Sequence, residues 1–224
     1  MTYYIDLEKI SIDEYRIKLA SSYLPPGRMV LKDKIDERFG YFQSIDIKNI
    51  KELIQLLKKK EKVAELTKFD FFSVDYLKIL LRELNSILPK PNKITEFTRI
   101  SKETAEILEK NGIKNTEKLY DRVITKSDRK QLAESTGIKE EEVLTLTKLT
   151  DLSRIKWVGA TYAQMLYDLG IDTVEKVSNS DATALHTVLN KLIKEKRIFK
   201  GKIGLNDVKI LIASAIEVPL EIEY

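Results

Sequence analysis

Gly112-Ile113-Lys114-Asn115-Thr116-Glu117-Lys118-Leu119 recurs in altered form twice more in this chain of 224 residues. A shift back of 66 residues sets Ile113-Lys114-Asn115 on Ile47-Lys48-Asn49 and Leu119 on Leu53. It also sets Ala105 on Phe39, Leu108 on Phe42, Leu132 on Leu66, Val143 on Leu77 and Leu146 on Leu80. A shift forward of 58 residues carries Gly112-Ile113 to Gly170-Ile171 and Glu117-Lys118-Leu119 to Glu175-Lys176-Val177. That shift also sets Ala163 on Ala105 and Leu166 on Leu108. Matching positions are mostly apolar, so each copy has an inward face that it cannot bury alone. Small helical modules stacked in series are the expected result. The expected division is residues 1–93, a divergent helical unit; 94–150, a second unit; and 151–224, a third.

The apolar spacing is mostly three and four residues, and only 8 Gly and 5 Pro interrupt it, which predicts an all-α fold. Ser11 with Glu14 forms a capping-box pattern ahead of Ile12, Tyr15, Leu19 and Tyr23, and Pro25-Pro26-Gly27 stops that helix. Further helices are expected from about Lys34 to Ser44, Ile50 to Leu57, Lys62 to Thr67 and Val74 to Leu88. Pro89 and Pro91 end the first unit. In the second unit Ser101 is the expected N-cap of a helix closing at Asn111-Gly112, with later helices beginning near Thr116, Ser127 and Glu140. In the third, helices run from Gly159 to Gly170, from Asp172 (read as a cap with Glu175), from Asp181 to Lys196 and from Leu205 to Ile216. Residues Pro219 to Tyr224 read as a short extended tail.

Lys and Arg total 39 against 35 Asp and Glu, so any anion-binding surface is a local patch and not a global field. The three segments carry 18 basic and 14 acidic, 11 and 11, and 10 and 10 residues. No cysteine is present, which removes disulfides and thiolate chemistry, and His186 is the single histidine. The opening residues lack a signal-peptide pattern and no apolar run is long enough for a bilayer, so a cytoplasmic protein without a membrane partner is expected.

Ile155-Lys156-Trp157-Val158-Gly159-Ala160-Thr161-Tyr162-Ala163-Gln164-Met165-Leu166 resembles the pattern of the helix-hairpin-helix family. The chain is most similar to a bacterial helix-hairpin-helix domain family of unknown function, over about residues 94–216, with the first unit more distant. The resemblance implies tandem helix-hairpin-helix (SAM-like) units. It also implies binding of DNA backbone through N–H groups that open the second helix of a hairpin. DNA-binding members carry Gly-x-Gly in the hairpin. Here those positions are Trp157 and Gly159 in the third copy, Arg99 and Ser101 in the second, and Asp33 and Ile35 in the first. Only the third copy keeps one of the glycines.

The expected nucleic-acid contacts are therefore Arg154, Lys156, Gly159, Ala160 and Thr161 at that hairpin. Lys196, Arg197, Lys200, Gly201 and Lys202 follow at the next one, within the densest basic cluster of the chain. Lys58-Lys59-Lys60-Glu61-Lys62 is a weaker cluster, read as an exposed loop or helix end. Trp157 would either stack on a base or fill a groove between units, and the second is expected because large aromatics mostly supply buried area. Gly159 would serve a phosphate contact or close helix packing.

No Walker loop, nucleophile elbow or dinucleotide fingerprint occurs, so a non-enzymatic protein with no cofactor, metal or small-molecule substrate is expected. The competing reading is a protein-interaction scaffold with degenerate hairpins. A helix-hairpin-helix DNA glycosylase is a more distant alternative, since Gly170-Ile171-Asp172-Thr173-Val174 only echoes that class and Asp172 reads as a helix cap.

Overall fold

In a computed structural model of the chain, residues 2–224 are described. Among them the regular structure is helical throughout. The first half carries α1 (Ile12–Ser21), α2 (Ile35–Ser44), α3 (Ile50–Leu57), α4 (Lys60–Leu66), α5 (Val74–Asn85), α6 (Lys102–Lys110) and α7 (Thr116–Tyr120). The second carries α8 (Lys126–Thr136), α9 (Glu140–Leu152), α10 (Ala160–Asp168), α11 (Val174–Ser178), α12 (Ala182–Lys196) and α13 (Leu205–Ile216). Short 3-10 segments at Pro26–Lys32 and Ile94–Glu96 complete the order. The Ser11/Glu14 capping box forms, and Ser101 caps α6. Helix α1 stops earlier than the apolar spacing suggests, because Ser22 is already extended, and this leaves Tyr23 48% exposed.

Two compact units result, one of Asp6–Leu88 and the other of Pro89–Tyr224 with the N-terminal residues through Ile5. The expected boundary at 150/151 is not one of them. Helix α9 crosses it, packing on α7 and α8 on one side and α10 on the other. Val143, Leu146, Leu149 and Leu152 from this one helix enter a single core that runs from Ile94 to Val218. A helix whose apolar residues serve both segments joins them in one core. In Asp6–Leu88 the core is built on Leu31, Phe39, Phe42, Ile50, Leu53, Leu80 and Leu84, all fully buried.

The same local turn closes three helices. Phe42, Leu108 and Leu166 are each completely buried, and their carbonyls accept from the N–H groups of Ile47, Ile113 and Ile171 at 3.1, 2.9 and 3.0 Å. Between them stands one left-handed residue each time: Asp46 (φ 62°), Gly112 (φ 79°) and Gly170 (φ 75°). This is the reversal that ends a helix by satisfying its last carbonyls. Three residues later a side chain caps the next helix, Asn49 on α3, Asn115 on α7 and Thr173 on α11. The first N–H of these helices is also satisfied in a parallel way. Ile50 donates to the Ile10 carbonyl, Thr116 to the Asn92 carbonyl and Val174 to the Asp151 carboxylate. The expectation that Asp172 caps α11 is thereby corrected. Thr173 takes the aligned place, and Asp172 instead receives the ammonium groups of Lys148 (2.5 Å) and Lys176 (2.6 Å).

Candidate nucleic-acid interface

The loop 153–159 is set by its left-handed residue. Trp157 has φ 66°, a region that favours glycine and costs an L side chain roughly 1–2 kcal/mol. The Trp157 ring does not fill a groove as expected. It is 44% exposed, with the Lys156 ammonium 4.6 Å from its centroid. The flanking Ile155 and Val158 are buried, so the apolar anchors of the loop lie on either side of the exposed ring.

Gly159 is the N-cap residue of α10, at φ −80° and ψ 173°, which any residue adopts. A Cβ placed there would meet nothing within 4 Å. Close helix packing therefore does not explain this glycine. After it, the N–H groups of Ala160, Thr161 and Tyr162 precede any acceptor within α10. Among the described residues α10 is the one α-helix that has neither a side-chain cap nor an acidic residue in its first turn. Helices α2, α4, α9 and α13 lack a capping side chain but carry first-turn acids, and α12 lacks the acid but is capped by Asp181. The positive end of the α10 dipole therefore meets no capping side chain and no acid of its own first turn.

The loop after α12 is held by Asn190. Its amide donates to the Ile203 carbonyl at 3.0 Å and accepts from the Ile203 N–H at 2.9 Å. Arg197 ends α12 in the left-handed region (φ 49°), and Gly201 lies at φ 122°, which excludes other residues without strain. A cleft of about 510 Å³ opens there, lined by Asn190, Ile193, Lys194, Arg197, Phe199, Lys200, Gly201 and Lys202. Burial pushes the Tyr162 hydroxyl above its usual range, and the Asp207 carboxylate in the first turn of α13 pushes it further. The start of α13 is unlike that of α10, since Asp207 already accepts from the Gly204 N–H at 3.1 Å.

Of the ten residues expected to touch nucleic acid, eight lie on these two loops or the first turn of α10 with their side chains or backbone toward solvent, or, for Ala160, at a buried first-turn position. Arg154 is a correction. Its side chain is 1% exposed, ion-paired to Asp151 at 3.1 Å and 3.8 Å from Glu221. It donates to the carbonyls of Tyr3 and Pro219 and lies 4.6 Å from the Tyr120 ring centroid. An arginine so enclosed is a core element and does not reach a phosphate. Lys196 is exposed but held by Asp168 at 2.6 Å.

The segment before α6 is tied to α10. The Arg99 N–H donates to Gln164 at 2.9 Å, Thr98 donates to the same oxygen, and the Arg99 guanidinium reaches Asp168 and lies 4.9 Å from the Tyr167 ring centroid. Helix α10 thus takes the Arg99 N–H, and the Ser101 hydroxyl takes the Thr104 N–H at 2.9 Å, so part of the donor set here is already satisfied. Sequence reasoning missed Gln164 and Asp168 because both look like solvent-facing residues of an amphipathic helix. It also missed the Asp151–Arg154 pair, although an acid and a base three residues apart among Leu149, Leu152 and Ile155 is a readable sign of a buried pair.

Asp168 and Asp172 supply a pH test. Partial burial raises each carboxyl, but hydrogen bonds from Lys196 and Arg99 in one case, and Lys148 and Lys176 in the other, outweigh it and hold both below the ordinary 3.8. A depressed folded value means a stabilising contribution that is present above the unfolded value and lost as pH falls through the folded one. Thermal unfolding by circular dichroism between pH 6 and about pH 2 is expected to show that loss. The double substitution Asp168→Asn, Asp172→Asn should lower stability near neutrality and flatten the acid limb. An unchanged acid limb would contradict the assignment.

The fold is all-α, and no helix among the described residues is long and apolar enough to cross a membrane. The chain belongs to the family described as Domain of unknown function (DUF4332), whose profile matches residues 98–218. That span starts inside the loop before α6 and ends after α13. Neither the curated proteins nor the solved structures contain a match to the chain.

Proposed function

We propose that this protein is a non-enzymatic binder of nucleic-acid backbone, DNA in preference to RNA, acting without sequence readout through the α10 loop and the basic loop after α12. In this reading the three recurring turns are copies of one helix-hairpin-helix module and only the last copy remains open to a ligand. The observation that carries it is the start of α10: uncapped, without acidic residues, opened by a glycine that packing does not require, and preceded by Lys156. Lys156, Arg197, Lys200 and Lys202 supply about four cations for phosphate contacts.

Fluorescence anisotropy of a labelled duplex over a salt series tests the reading. Sequence-independent binding is expected at roughly 10⁻⁴ to 10⁻⁶ M at physiological salt. The logarithm of affinity should fall against the logarithm of salt with a slope of about −3 to −4, at about 0.9 per contact. Replacing Arg197, Lys200 and Lys202 together with Ala should flatten the slope by about 1 per contact removed, while Lys58→Ala leaves it unchanged. Absence of binding at low salt would contradict the proposal.

A scaffold for a protein partner is the second reading. It is favoured by Gln164 on the Arg99 N–H, by the Ser101 hydroxyl on the Thr104 N–H and by the Asp207 carboxylate on the Gly204 N–H, each of which takes a backbone donor that a phosphate could use.

A further inference from the structure

We propose that the exposed rings of Trp157 and Phe199 are stacking surfaces for unpaired DNA bases, so that this site prefers single-stranded DNA to an uninterrupted duplex. The inference rests on the phosphate-binding reading above and adds which form of DNA is held. Large aromatics usually give up their surface to the core, yet Trp157 and Phe199 each remain 44% exposed. Both stand on the loops that lead into α10 and α13. Each loop also turns through a left-handed residue that is not glycine, Trp157 itself (φ 66°) and Arg197 (φ 49°) two residues before Phe199. Such conformations cost free energy and persist where the surrounding structure fixes them, often at binding sites.

The surroundings of the rings have the sign that a nucleic acid requires. The Lys156 ammonium lies 4.6 Å from the Trp157 centroid. Phe199 shares its cleft with Lys194, Arg197, Lys200 and Lys202, and no carboxylate lines that cleft. A duplex offers these rings little, because its bases already stack on each other. A single strand offers a π-face with every base, and a groove of cations beside aromatic rings holds it without reading its sequence. The N–H groups that open α10 then take a phosphate next to the base on Trp157.

Trp157 is the only tryptophan of the chain, so its emission reports on this ring alone. The experiment compares an oligothymidylate with a blunt duplex of equal length at low salt, using anisotropy for affinity and Trp157 emission for stacking. The oligothymidylate is expected to bind several-fold more tightly than the duplex and to quench Trp157. Phe199→Ala should weaken oligothymidylate binding by roughly ten-fold, within the range for loss of one stacked base, and leave duplex binding nearly unchanged. Phe199→Tyr should restore it. Circular dichroism on each variant establishes that the helices remain. Equal affinity for the two DNAs, or unchanged Trp157 emission at saturation, would overturn the stacking proposal while leaving backbone binding in place. No binding of either DNA would overturn both.

Discussion

Arg154→Ala is expected to lower the unfolding free energy by about 3–5 kcal/mol, the range for removing one partner of a buried ion pair. The guanidinium is 1% exposed and Asp151 beside it is 5% exposed. Without Arg154 the Asp151 carboxylate keeps the Val174 N–H and the Tyr224 hydroxyl, both at 2.9 Å, but loses its cation. Burial already pushes the Asp151 carboxyl above its ordinary value, and removal of Arg154 takes away one of the interactions that oppose this shift. The carbonyls of Tyr3 and Pro219 lose a donor as well. A buried polar group left without its partner costs more than the bond itself was worth. The double substitution Asp151→Asn, Arg154→Met should therefore be less damaging than the sum of its parts. Urea unfolding followed by circular dichroism measures both. A loss below about 1 kcal/mol for Arg154→Ala would contradict the description of this residue as a core element.

The helices were legible because their signals are local. Ser11 with Glu14, Ser101 and Asp181 mark starts, and the spacing of Ile50, Leu53, Ile54 and Leu57 marks a buried face. The recurrence was legible for the same reason, since the left-handed places at Asp46, Gly112 and Gly170 fall at the two shifts read from the sequence. Interactions between segments distant in the chain were not. Arg154 has the composition of a phosphate contact, and only the fold shows that residues as distant as Tyr3 and Glu221 enclose it. Asp172 fits a cap by residue type, but its neighbour Thr173 fits the backbone geometry and leaves it to two lysines. Trp157 fits a buried groove by size, but its place in a left-handed turn sends the ring to the surface. A core shared across residues 150 and 151 was not legible, because α9 places its apolar residues against helices on both sides of that point in the chain.

Gly159→Asp separates fold from function at the start of α10. Asp is among the preferred N-cap residues, the backbone at Gly159 suits it, and a Cβ there meets open space. Folding should be unchanged, or stabilised by a few tenths of a kcal/mol, since a carboxylate there answers N–H groups at the positive end of the dipole. The same carboxylate occupies the place of the phosphate and repels it. Loss of a charge-assisted contact worth about 1.5–3 kcal/mol corresponds to a drop in affinity of about ten- to a hundred-fold. Gly159→Ala keeps the site without the charge and should bind within about three-fold of the parent protein, a difference of about 0.65 kcal/mol. The decisive measurement is the affinity of Gly159→Asp for a labelled duplex at low salt, by anisotropy, on protein whose unfolding midpoint equals or exceeds that of the parent. Binding reduced at least ten-fold in such a protein is the predicted result. Undiminished binding would show that the start of α10 holds no phosphate.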